Sequence, residues 1–146
     1  MLWSATAATR YHGAIVKEAD VKLLQCMLER HSGLELAFVF GSVARGTARD
    51  DSDLDIAVQA AQPLRSSQKI ALIGDLAEAM GRPVDLIDLR TAGEPLTGQI
   101  LTHGRRLMGS AEAHGRLLSR HLLDCADFLP YAQRIVDERR RAWIGM

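Results

Sequence analysis

Two aspartates, Asp53 and Asp55, stand in a stretch that alternates acidic and apolar residues: Asp53-Leu54-Asp55-Ile56-Ala57-Val58. In an extended strand, residues i and i+2 share a face. Asp53, Asp55 and Ala57 therefore point one way, and Leu54, Ile56 and Val58 point the other, into a core. Neighbouring carboxylates repel, and nothing in the local sequence neutralises this pair. A hard divalent cation with oxygen ligands, Mg²⁺ or Mn²⁺, does. Asp-x-Asp alone is common on solvated strands and fixes no chemistry.

Upstream, the apolar run Leu34 to Phe40 stops abruptly at Gly41-Ser42. A strand that ends in Gly-Ser and feeds a helix start presents backbone N–H groups, and glycine lets a phosphate approach the main chain. The Ser42 hydroxyl adds a donor. Taken alone, this is an ordinary turn with Ser42 as helix N-cap. Beside the acidic pair, it makes a phosphate cradle next to a metal-binding site, which is the minimum equipment for moving a nucleotidyl group.

These residues need elements to hold them. Lys17 to His31 reads as a helix, with Val21, Leu24 and Leu28 at helical spacing and Gly33 as its stop. Leu34 to Phe40 reads as a buried strand and Asp53 to Gln59 as a second. Ser66 to Met80 is an amphipathic helix with Ile70, Ile73, Leu76, Ala77 and Met80 on its stripe. Gly81-Arg82-Pro83 breaks it, and Val84 to Leu89 is a third strand. Pro95 to His103 reads as a helix ended by Gly104, and Arg105 to Met108 as a short edge strand. From Glu112 the pattern is helical, with Leu118, Leu122, Cys125 and Leu129 on one stripe. Pro130 marks a break, and Ala132, Ile135, Val136 and Trp143 form the next stripe. The order argues a mixed α/β domain with a helical tail. Residues 1–16 read as a loose arm, 17–109 as a core, and 110–146 as C-terminal helices of the same domain.

The composite Gly41-Ser-x-x-Arg-Gly46, then Ser52-Asp-x-Asp55, resembles the signature of the minimal nucleotidyltransferases of the polymerase-β superfamily. The resemblance implies an α+β fold with a central mixed sheet flanked by helices. It implies that Gly41 and Ser42 hold the triphosphate and that Asp53 and Asp55 ligate two Mg²⁺ ions. The family places a third carboxylate on a later strand, where this sequence offers Asp85. Asp88 has the opposite parity and is the weaker candidate. Asp85 is then the third metal ligand and the acceptor of the incoming hydroxyl's proton, directly or through water. Arg45, inside the motif, either touches phosphate or holds the turn by a salt bridge.

The tail from Ile100 to Met108, through Asp124 to Tyr131, to an Arg-rich end, is similar to the MntA group of antitoxin nucleotidyltransferases. These are paired with HEPN-domain toxins. That resemblance implies ATP as donor, transfer of AMP to a tyrosine of a toxin encoded next door, and silencing of its RNase activity. Leu118, Leu122, Phe128, Ile135 and Trp143 are candidates for a partner or self-association surface, or for simple packing. The alternatives are a small-molecule, aminoglycoside-type enzyme and a non-catalytic antitoxin that docks on its toxin. The first needs an acceptor pocket the short tail does not supply. The second does not need the acidic residues that the chain retains.

The 146 residues fit one domain and carry no net charge, with Lys+Arg and Asp+Glu both 18. Neutrality argues against a protein that lives on nucleic-acid backbone. The Arg139-Arg140-Arg141 run reads as a solvated helix end. Neither a signal-type leader nor a membrane-length apolar run is present, so the expected location is the cytoplasm. Cys26 and Cys125 lack metal-type spacing and read as buried small hydrophobes. The five histidines (His12, His31, His103, His114, His121) show no zinc-enzyme pairing and read as isolated surface residues.

Overall fold

The computed structural model describes residues 18–41 and 53–144, without the side chains of Phe128 and Leu129. The N-terminal arm, Ser42 and Arg45 lie outside the described residues. Helix α1 (Glu18–Glu29) leads to strand β1 (Leu34–Phe40); β2 (Leu54–Ala60), α2 (Ser66–Met80) and β3 (Val84–Asp88) follow. Helix α3 (Leu96–His103), strand β4 (Arg105–Gly109) and the long helix α4 (Ala111–Ile144) complete the order.

The four strands form one mixed sheet in the order β3-β2-β1-β4. β1 pairs antiparallel with both β2 and β4, while β2 and β3 are parallel and joined through α2. A parallel pair needs such a crossover, because its strands start at the same end. Gly81, at φ 64°, closes α2 in the left-handed conformation, and its N–H donates to the Ala77 carbonyl.

Alternation along the strands splits the core in two. One face packs Ala37, Val39, Leu54, Ile56 and Val58 against Val21, Leu24 and Leu28 of α1 and Leu72 and Leu76 of α2. The other packs Leu36, Phe38 and Ala57 against Ile100 of α3 and Ala113 and Leu117 of α4. The expected alternation in β2 holds, with Leu54, Ile56 and Val58 on one side and Ala57 on the other.

The helix stripes need correction. In α2 the buried residues are Leu72 and Leu76, and Ile70 is 71% exposed. The face toward the sheet is centred on Leu72, about one residue-step round the helix from the expected stripe. In α4 the core residues are Ala113 and Leu117, whereas Leu118 and Leu122 are exposed. Pro130 does not end the helix but sits inside it. Proline removes one hydrogen bond and crowds the carbonyl four residues back; at an exposed position water can take up that carbonyl, and the turns on either side continue. Cys26 is exposed and Cys125 half-buried, so neither is a core hydrophobe. Cys26 lies roughly opposite Leu24 on α1, two residue-steps of about 100° away. No described helix is long and apolar enough to cross a membrane.

Candidate active site

Strand direction gathers the acidic residues. β2 runs antiparallel to β1, so the start of β2 lies beside the end of β1, with Phe40 opposite Asp55. β3 runs parallel to β2, so its start is at the same end, with Asp55 opposite Asp85 and Leu54 opposite Val84. Gly41, Asp53, Asp55 and Asp85 therefore cluster at one end of the sheet. Asp53 immediately precedes β2 and is exposed; Asp55 is half-buried; Asp85 is exposed. The Leu54 N–H donates to the Pro83 carbonyl at 2.8 Å, fastening the entries of the two parallel strands together.

Gly41 has φ 75°, a conformation that side chains disfavour. A Cβ built there would collide with the Asp55 carboxylate. The glycine thus serves twice: it turns the chain at the end of β1 and lets the backbone lie against the acidic side chain.

A pocket of about 310 Å³ opens at this end, lined among the described residues by Phe40, Gly41, Asp55, Gln99 and His103. Gln99 and His103 are four apart on α3, so both fall on one helix face. Sequence reasoning missed them as site residues. The helix was expected there, but only the fold sets its face against β1. Asp85 is one strand further out and not among the described lining residues. Asp88 plays a different part. It is buried, and its carboxylate accepts from the Leu64 and Arg90 backbone N–H groups at 2.8 and 2.9 Å. It holds the β2–α2 loop, on the side of β3 that its parity predicted.

The Polymerase beta, Nucleotidyltransferase family matches residues 22–113, from α1 into the first turn of α4. The chain belongs to this family. The mixed sheet flanked by helices is the polymerase-β-type nucleotidyltransferase fold that the sequence resemblance implied. The chain is 37% identical over 91 residues to protein adenylyltransferase MntA of Shewanella oneidensis, covering 62% of this chain and 66% of that protein. The match thus spans just under two thirds of the curated relative's length. A solved toxin–antitoxin structure with AMP-PNP is similar at 30% identity and a TM-score of 0.73, covering 83% of this chain and 98% of that one. A structure of tri-AMPylated Shewanella oneidensis HEPN toxin in complex with MNT antitoxin is similar at 27% identity and a TM-score of 0.64, covering 82% and 98%. Gly41, Asp53, Asp55, Asp85, Gln99 and His103 all fall within the residues that the family matches.

Proposed function

We propose that this nucleotidyltransferase moves AMP from ATP to a tyrosine of a HEPN-domain RNase partner encoded beside it, and so acts as its antitoxin. The observation that carries the reading is the convergence of Asp53, Asp55 and Asp85 at one sheet end, against Gly41 and a nucleotide-sized pocket. Similarity to protein adenylyltransferase MntA and to the complex of MNT antitoxin with AMPylated HEPN toxin supports the transferred group and the acceptor. The AMP-PNP structure supports ATP as donor.

The donor set at this end is all carboxylate oxygen, which suits Mg²⁺ or Mn²⁺ and not a soft metal. Asp53, Asp55 and Asp85 would hold two such ions. When bound, they neutralise phosphate charge and stabilise the attacking and leaving oxygens at the α-phosphorus. The chain's own groups do the rest. Gly41 and Ser42 hold the triphosphate through backbone N–H and hydroxyl donors, and Arg45, in the same motif, is assigned to phosphate. Gln99 and His103 form the opposite wall and hydrogen-bond the nucleotide. Asp85, outermost of the three carboxylates, takes the proton of the incoming tyrosine hydroxyl. The tyrosine oxygen then bonds the α-phosphorus as the bond to the pyrophosphate oxygen breaks.

A minimal enzyme must have its acceptor delivered, and α4 offers a surface for that. Leu122, Val136, Trp143 and Ile144, which fall on one side of the helix at about 100° per residue, are all more than half exposed, Trp143 at 81%. Such an exposed apolar row on a projecting helix is a docking face for a partner helix. We read residues 17–109 as the catalytic core and 110–146 as its tail in the same domain, because Ala113 and Leu117 share the core with Phe38 and Ile100.

The test is pyrophosphate release from ATP by this chain with Mg²⁺. Release that requires both the neighbouring HEPN protein and Asp55 supports the reading. Release with no need of the partner points to a small-molecule acceptor.

A further inference from the structure

Away from the acidic sheet end, Glu94, His121 and Cys125 bring one ligand-type atom each to within 4.8 Å of one another. His121 Nδ1 lies 2.6 Å from Glu94 Oε1 and 3.6 Å from Cys125 Sγ. His121 and Cys125 are four apart on α4, on one face of the helix. Glu94 precedes α3, at the end of that helix opposite His103. The cluster meets α3 at Gly98, the residue before Gln99 of the pocket, so one helix touches both sites.

The surroundings preorganise the three groups. The Glu94 and His121 side chains are only 10% and 18% exposed. The Gly98 N–H donates to Glu94 Oε2 at 3.2 Å, which fixes the carboxylate with its other oxygen toward the imidazole. Gly98 also has no side chain, and a Cβ there would crowd the His121 ring at 2.7 Å. The glycine is what lets the imidazole lie against α3.

We propose that Glu94, His121 and Cys125 form a second metal site, for a borderline-soft divalent cation of the Zn²⁺ class, with water as the fourth ligand. The mixed oxygen, nitrogen and sulfur donor set selects Zn²⁺ over Mg²⁺, in contrast to the all-carboxylate sheet end. Tetrahedral Zn²⁺ with ordinary bond lengths sets N···S at ~3.5 Å and N···O at ~3.3 Å. The Nδ1–Sγ separation already fits. The Nδ1–Oε1 hydrogen bond has to open by ~0.7 Å as the cation replaces its proton. The imidazole binds as its neutral Nε2–H tautomer, and the thiol gives up its proton to solvent. The bound ion clamps the start of α3 to α4, and so steadies the helix that carries Gln99 and His103 into the pocket.

The test uses the full chain, stripped with chelator and titrated with Co²⁺ as the spectroscopic probe. The proposal expects one equivalent to produce a thiolate-to-cobalt charge-transfer band that Zn²⁺ removes. The band persists in Cys26→Ser and in Asp53→Asn/Asp55→Asn, because neither change touches the three ligands. It disappears in Cys125→Ser, a near-isosteric change whose fold is checked by circular dichroism. Glu94→Gln weakens binding at least about tenfold. Absence of the band in the native chain, or its survival in Cys125→Ser, overturns the proposal. Because the acidic residues are not needed, its failure leaves the adenylyltransferase reading untouched, and the reverse holds too.

Discussion

Gly41 and Asp55 are in such close contact that the Asp55 carboxylate occupies the space a side chain on Gly41 would need. Replacing Gly41 by alanine therefore imposes two penalties. The positive φ costs about 1–3 kcal/mol, and the methyl group displaces Asp55. Gly41→Ala is expected to lower the melting temperature and to cut AMP transfer by about 10²-fold or more, since displacements near 1 Å have that effect. Thermal melts and pyrophosphate release measure the two effects separately. A variant with normal activity would show that the close contact has no catalytic role.

Asp55 and Asp85 face each other across a parallel ladder. Without cations their charges repel, so Asp85→Asn, at an exposed position, should leave the melting temperature unchanged or raise it. Transfer should fall by about 10²–10⁴-fold, the usual scale for a lost proton acceptor. A clear drop in melting temperature would instead make Asp85 structural.

Sequence pattern located the strands to within a residue, because buried strands carry an apolar run or a strict alternation that few other structures share. Turn chemistry and strand parity, both local properties, singled out Gly41, Asp53 and Asp55, and the family resemblance pointed to Asp85; the fold brings all four to one end of the sheet. Sequence pattern misjudged helix faces. Ile70 and Leu72 are both apolar, and only packing against the sheet decides which turns inward. It missed Gln99 and His103, which line the pocket through the position of α3 over β1. Glu94 was invisible as a partner of His121, 27 residues away, because that contact exists only in the tertiary fold.

The corrected α2 face has an energetic consequence. Leu72 is 1% exposed and Ile70 is 71% exposed. Leu72→Ala should destabilise the protein by about 2–5 kcal/mol. Ile70→Ala should stay within about 0.5 kcal/mol. Urea denaturation of both variants checks the ranking, and a larger loss at Ile70 would restore the stripe expected from the sequence.

The two thiols should differ in reactivity. Cys26 is exposed. At Cys125, partial burial first, then the charges of Glu94 and Asp124, push the thiol above its ordinary value. Less thiolate at neutral pH means slower alkylation. Iodoacetamide labelling read by peptide mass spectrometry should modify Cys26 first, with the gap at Cys125 narrowing as pH rises. Faster labelling of Cys125 would contradict this account of its surroundings.

The most direct measurement is intact mass spectrometry of the neighbouring gene's HEPN-domain product after incubation with this protein, ATP and Mg²⁺. The account predicts a mass increase of one or more AMP units, absent with Asp53→Ala/Asp55→Ala. A stable complex between the two proteins with no adduct would contradict it, and would make the protein an antitoxin that acts by docking alone.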